Sequence, residues 1–134
     1  IYINQGLLGS RDRCVDAAHA ALTRGQRCVV DNTNPDKLTR SHYVALGRST
    51  GAPVRCLWLS TELDIARRLN RARHDLSGGA LRFIPEDAYA RYVDRFEAPD
   101  VGEGFTEIHR VDFELLPEND RHLSVLRQMG LCPT

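Results

Sequence analysis

Apolar and polar positions follow a helical period in some stretches and run together in others, and the changes between the two outline the elements. Tyr2 and Ile3 read as the end of a short strand. Ser10 is placed to cap a helix that reaches about Arg24. Cys14, Ala17, Ala18, Ala21 and Leu22 share its apolar face, and Gly25 stops it. Cys28-Val29-Val30 shows no alternation, which predicts a buried strand, and Asp31 falls at its carboxyl end. Asn34 as N-cap and Pro35 in the first turn predict a helix to about Thr50, with Leu38 and Leu46 facing inward and Gly51 ending it. Pro53 leads into a strand, Val54-Arg55-Cys56-Leu57-Trp58-Leu59. Thr61 is the expected cap of the next helix, with Asp64 at the N3 place of a capping-box-like arrangement. That helix turns Ala66 and Leu69 inward and runs to about His74, before a flexible break at Ser77-Gly78-Gly79. Pro85 opens a helix whose buried stripe is Tyr89, Tyr92, Val93 and Phe96. Residues 99–104 read as a loop, Ile108 to Leu115 as a last strand, and Asn119 to Met129 as a last helix stopped by Gly130.

Alternating strands and helices predict an α/β fold, a parallel sheet flanked by helices in three layers, with right-handed crossovers. Open sheets of this kind bind ligands beyond the carboxyl ends of their strands, which puts Asp31 at the rim of a candidate site. The stretch Asp31-Asn32-Thr33-Asn34-Pro35 also reads as plain turn chemistry, because Asx side chains satisfy local backbone groups. The pattern alone leaves both readings open.

The length of 134 residues fits a single domain over 1–134, enough to bury roughly two thirds of its unfolded surface. With 42% hydrophobic and 27% charged residues, the chain has the composition of a globular protein. No apolar run approaches the ~18 residues of a membrane span, so no membrane partner is expected. The chain opens on Ile1 with no secretory pattern, so the expectation is an intracellular piece of something longer. A net charge of zero argues against a nonspecific nucleic-acid coat, but leaves room for a local basic site. Lys37 is the only lysine; the other basic residues are arginines, the side chain suited to bidentate phosphate recognition. A GC-rich genome explains that bias equally well. Cys14, Cys28, Cys56 and Cys132 lack C-x-x-C spacing and a histidine at metal-ligand distance, so reduced thiols are expected and a metal site is not.

One helix concentrates positive charge. Arg67, Arg68, Arg71 and Arg73 crowd it, and spacings of three and four put like charges side by side. An anion opposite would relieve that repulsion. Pairing with Glu62 and Asp64 on a solvated face would do so too. Followed by Gly78 and Gly79, the helix could form a lid over a polyphosphate.

Four stretches resemble the kinase domain of polynucleotide kinase 3′-phosphatase. They are Asn4 with Leu8-Gly9-Ser10 and Cys14; Val30-Asp31-Asn32-Thr33-Asn34-Pro35-Asp36; Ala66-Arg67 with Asn70-Arg71 and Arg73; and Ile84-Pro85, Tyr92, Phe96-Glu97-Ala98-Pro99 and Glu103-Gly104-Phe105. They stand in the family's order over about residues 2–113. The resemblance implies a P-loop kinase-like fold that transfers the γ-phosphoryl group of ATP, with Mg²⁺, to a 5′-hydroxyl at a DNA or RNA end. It implies a substrate-side role for Asp31, with Asn32, Thr33 and Asn34 around it. It gives Arg67, Arg71 and Arg73 to the ATP phosphates, where charge spreads in the transition state.

The chain departs from that family in two places. The Gly-rich loop ending in Gly-Lys-Ser/Thr is missing, along with the strand before it, and Lys37 has no glycine loop ahead of it. A start upstream of Ile1 would account for this. The second departure lies inside the chain: where the family carries the Asp that serves as general base, this sequence has Gly6. General-base help is commonly worth ~10²–10⁴ in rate. The expectation is therefore a degenerate, noncatalytic domain acting as a structural or interaction module. The alternative is part of an active kinase whose P-loop and ATP site lie upstream, and a third reading is a binder of polynucleotide 5′ ends without chemistry. Without the first strand, the Cys28–Asp31 strand would have an open edge, so a further segment or a partner chain is expected to complete the sheet. The nucleus or mitochondrion suits the family.

Overall fold

The structure is a computed structural model describing residues 1–131, so Cys132 lies outside the described residues. In chain order the elements are β1 (Tyr2–Ile3), α1 (Gln5–Leu8), α2 (Arg11–Thr23), β2 (Val29–Val30), α3 (Lys37–Thr50) and β3 (Arg55–Leu59). They continue with α4 (Leu63–Leu76), α5 (Glu86–Arg95), a 3-10 turn (Val101–Glu103), β4 (Glu107–Val111) and α6 (Asp120–Gln128). The chain forms two compact units, one made of Ile1–Trp58 with Tyr92–His109, the other of Leu59–Arg91 with the residues from Arg110 on.

In the first unit β1 and β2 pair in parallel, Tyr2 opposite Val29 and Ile3 opposite Val30. Successive strand residues point to opposite faces. Ile3 therefore packs with Cys14 and Ala18 of α2, with Val30, Cys28, Leu8, Ala17, Tyr43 and Leu46 around them. The other face is open, and Val29 is 62% exposed. The strand expected to be buried is thus a two-residue strand with one covered face, Val29 standing on the open one, and among the described residues its neighbour in the sheet is β1. Strand β3 pairs with β4. The Thr106 amide donates to the Val54 carbonyl and the Ser60 amide to the Val111 carbonyl, both at 2.9 Å. Residue numbers rise together along the two strands, so this pair is parallel as well. The result is a mixed α/β structure with short parallel strand pairs, each strand having one open edge among the described residues.

Ser10 caps α2 as expected, its hydroxyl accepting from the Arg13 amide at 3.2 Å. Helix α3 starts later than the Asn34-Pro35 signal implies. Asp36 is its N-cap and accepts from the Thr39 amide at 2.7 Å, while Asn34 takes a left-handed backbone with φ +40°. The turn ahead of the helix is tied instead by Glu97, whose amide donates to the Pro35 carbonyl and whose carboxylate accepts from the Lys37 amide. The inward positions also differ from those expected. Arg40, Val44 and Gly47 are buried, and Leu38, expected inside, is 74% exposed. Gly47 is there because α3 runs close against the chain that follows: a Cβ would sit 2.2 Å from the Val54 Cγ2.

Asp36 also pairs with Arg95. Its bonds to Thr39, with help from Arg95, hold the carboxyl at about 2, below the usual 3.8. A carboxyl depressed on folding stabilises the native state above its unfolded value and loses that contribution as pH falls towards the folded one. Asp36→Ala is expected to cost about 1 kcal/mol at neutral pH, the usual worth of an N-cap. In urea unfolding the gap to wild type should narrow between pH 4 and pH 2; a gap constant with pH would refute the assignment.

In the second unit α4 has no side-chain cap. Neither Thr61 nor Asp64 performs the expected capping; Asp64 pairs with Arg68, one turn on, at 2.8 Å. The helix continues to Leu76, with Asn70 and Ala72 buried, and α4 packs against α6, whose Leu126 is buried. Asn119 caps α6 through the His122 amide, and Gly130 follows at φ +67°. The break at Ser77-Gly78-Gly79 turns the chain back onto α4 rather than leaving it loose. Asn70 grips the returning segment, donating to the Ile84 carbonyl (2.8 Å) and accepting from the Ile84 amide (3.1 Å). Along α5 no residue is fully buried and Val93 is exposed, so the expected stripe narrows to Tyr89 and Tyr92, with Phe96 just past the helix end. Among the described residues no helix is long and apolar enough to cross a membrane.

Candidate functional site

At the carboxyl ends of β1 and β2 the chain is laced together by side-chain amides. The Asp31 amide donates to the Ile3 carbonyl at 2.8 Å, extending the strand pairing by one step. Asn4, the N-cap of α1, accepts from the Gly6 amide at 2.8 Å and donates through Nδ2 to the Asp31 carbonyl at 2.7 Å. Asn32 answers from the other strand: its Oδ1 accepts from the Gln5 amide at 2.7 Å, and its Nδ2 donates to the Tyr43 hydroxyl at 3.4 Å. Each Asn uses both ends of its carboxamide, so the two loops hold one another in place.

The Asp31 carboxylate is exposed, and the Tyr2 hydroxyl donates to its Oδ2. That bond, above all, holds the Tyr2 phenol above its ordinary value. The contact follows from the register. Tyr2 lies opposite Val29, and Asp31 is two residues further on, so all three project from the face that Ile3 and Val30 leave open. Gly6 sits in the first turn of α1, where a Cβ would come 2.9 Å from Asn4 Oδ1.

Thr33 is exposed, and Asn34 belongs to a different network. Its backbone carbonyl accepts from Arg40 Nη1 at 3.1 Å, and its Oδ1 is buried without a partner among the described residues. Arg40 also donates to the Pro35 carbonyl (3.2 Å) and forms a two-bond pair with Glu103, Nε to Oε2 and Nη2 to Oε1, both 2.8 Å. Glu103 in turn accepts from the Asp100 amide, closing a capping box over the 3-10 turn. The Arg40 guanidinium holds the Glu103 carboxyl below its ordinary value.

The arginine helix lies in the second unit. Arg67 is bound by Glu86 and stacks over Tyr89, its Cζ 5.6 Å from the ring centroid. Arg68 is held by Asp64 and by the Met129 and Gly130 carbonyls. The solvated-face pairing thus accounts for these two, with Glu86 in the place expected of Glu62. Arg71 and Arg73 differ. Arg71 lies over Phe83 at 5.2 Å, and Arg73 donates to Asn70 Oδ1 and the Arg82 carbonyl; neither has an acidic partner among the described residues. Their charge remains available to an anion.

The structure therefore joins Asp31, Asn32 and the Gly6 backbone in one network, sets Asn34 in a second, and puts Arg67, Arg71 and Arg73 in the other unit. Tyr2 and Arg40 were not singled out by the sequence. Tyr2 could have been found by parity, since parallel pairing of the first two strands puts it on the face of Asp31. Among the described residues no group of three or more His, Cys, Asp or Glu side chains is placed to hold a metal ion, and Cys14, Cys28 and Cys56 are free thiols.

Comparison with known proteins adds a lineage. A family described as an AAA domain matches residues 8–99. A bifunctional polynucleotide phosphatase/kinase of Schizosaccharomyces pombe is 32% identical over 116 residues, covering 87% of this chain. A putative bifunctional polynucleotide phosphatase/kinase of Acanthamoeba polyphaga mimivirus is 32% identical over 114 residues, covering 84%. The transcription factor bHLH140 of Arabidopsis thaliana is 29% identical over 111 residues, covering 79% of this chain and 12% of that protein. The chain spans 28% and 27% of the length of the two phosphatase/kinases.

Proposed function

The chain belongs to the AAA domain family, and from that membership we propose that it is a polynucleotide-kinase-like domain that binds a polynucleotide 5′ end but transfers phosphate poorly. The observation that carries this reading is the Asp31 network. One carboxylate is offered at the strand ends, while Gly6, where the kinase family carries its base, contributes only a backbone amide. The two phosphatase/kinase relatives supply the substrate class.

The phosphate-cradling loop belongs, on this reading, to a part of the protein ahead of Ile1. The strand leading into it would pair with the open edge of β2 and complete a sheet covered by helices on both sides. Bound ATP would supply the phosphoryl group, and Mg²⁺ would neutralise the charge between its phosphates. Within this chain Arg71 and Arg73, with no carboxylate partner among the described residues, suit the triphosphate, whereas Arg67 is already neutralised by Glu86. Those two free charges favour a second reading, an active ATP-dependent 5′-hydroxyl kinase that draws its base from elsewhere.

One assay separates the two: the full-length protein with Mg-ATP and a 5′-hydroxyl oligonucleotide, scored for binding and for transfer. The expected result is binding that falls steeply with salt, with transfer slower by ~10²–10⁴ than general-base catalysis allows. Arg71→Ala with Arg73→Ala should weaken ATP binding. Rapid transfer would replace the first reading with the second, and absence of oligonucleotide binding would remove both.

A further inference from the structure

We propose that Tyr2 is a positioning residue that makes Asp31 selective for a 5′-hydroxyl over a 5′-phosphate end, an inference that rests on the polynucleotide reading above. Asp31 has the only carboxylate in the network of Tyr2, Asn4, Gly6 and Asn32, and its acceptors are unequally occupied. Oδ2 takes the Tyr2 hydroxyl and the backbone carbonyl takes Asn4 Nδ2, while Oδ1 makes no hydrogen bond to the described residues. A carboxylate on an exposed loop would otherwise turn freely about its side-chain torsions. With one oxygen tethered, the other keeps a fixed direction, as oriented recognition of a ligand proton requires.

The tether adds little to the core. Tyr2 is 59% exposed, on the face of the β1–β2 pair opposite Ile3 and Val30, so its ring covers no buried cluster. Its reach to Asp31 is set by backbone register, which Asn4 and Asn32 hold independently.

The ligand chemistry follows from what Oδ1 can do. It accepts a hydrogen bond from a 5′-hydroxyl. A 5′-phosphate offers an oxygen anion instead, and two like charges a few ångström apart repel. At a water-facing rim that repulsion is worth about a tenfold difference in affinity. With Gly6 in place of an acid, no second carboxylate in the network shares the discrimination.

The test is fluorescence anisotropy of the full-length protein with two single-stranded oligonucleotides of one sequence, ending in 5′-hydroxyl or 5′-phosphate, at a single salt concentration. Wild type should prefer the hydroxyl end about tenfold, and Asp31→Asn should abolish the preference. Tyr2→Phe should reduce it to about twofold by weakening the hydroxyl end alone, with the urea midpoint unchanged. A structural role would weaken both ends together. Tyr2→Phe at the wild-type ratio, or equal loss at both ends, overturns the proposal. Equal binding of both ends by wild type overturns it too but leaves the polynucleotide reading standing. Binding of neither end overturns both.

Discussion

Replacing Glu103 with glutamine is expected to lower the unfolding free energy by about 3–5 kcal/mol, the usual cost of breaking a buried ion pair from one side. The Arg40 and Glu103 side chains are 6% and 7% exposed and share two parallel bonds. Glutamine keeps the shape but removes the negative charge, and its amide group turns hydrogens towards guanidinium hydrogens. The guanidinium would then stay charged in a dry site, left with one bond to the glutamine carbonyl and those to the Asn34 and Pro35 carbonyls. Domains of this size are stable by about 5–15 kcal/mol, so the loss would show directly in urea denaturation. Arg40→Met combined with Glu103→Leu should cost less than either single change, because removing both charges removes the desolvation penalty as well. Single changes below 1 kcal/mol, with additive behaviour in the double variant, would mean that the pair is solvated. The pair also joins the turn before α3 to the 3-10 turn, so the same variants should loosen the Asn34–Asp36 segment beside Asp31.

Why this pair was invisible in the sequence, while α2 and α6 were not, is a matter of range. Ser10 and Asn119 announce helices through bonds spanning three residues, and those caps form where the pattern places them. Arg40 and Glu103 are 63 positions apart, and nothing local distinguishes Arg40 from the chain's other arginines. The start of α3 shows the same limit from the other side. Asn34-Pro35 is a sound local signal, but Glu97, 60 residues from Lys37, takes the first helical amide and leaves Asp36 to cap. The inward face is the one that carries Arg40, so Leu38 on the opposite side is exposed. At the site, the acid at a strand end was legible because a short apolar run stops there. Its orientation was not, because the Tyr2 hydroxyl reaches Asp31 only through a strand pairing that no local pattern encodes. On α4 the clustering of arginines was plain. Which of them keep free charge depended on Glu86, 19 residues beyond Arg67.

Gly6→Asp is expected to raise the rate of phosphate transfer by the full-length protein by ~10²–10⁴, the usual contribution of a positioned general base. The substitution puts a carboxylate in the first turn of α1, a turn already fixed by Asn4 below it and by Gln5 binding Asn32. The new Cβ would come 2.9 Å from Asn4 Oδ1, so the Asn4 cap has to shift to admit it, and the urea midpoint of the variant reads that cost. Acidic residues also suit a helix N-terminus, where the first amides point outward. Single-turnover kinetics with a saturating 5′-hydroxyl oligonucleotide would isolate the chemical step. A gain confined to that step, with oligonucleotide affinity unchanged, is what a missing base predicts. An unchanged rate in a folded variant would mean that Gly6 is not the lesion, and Asp31 would become the carboxylate to remove next. If Gly6→Asp gains activity and Asp31→Asn then loses only the choice between ends, the two carboxylates have separate tasks: the first takes the proton and the second holds the hydroxyl that gives it.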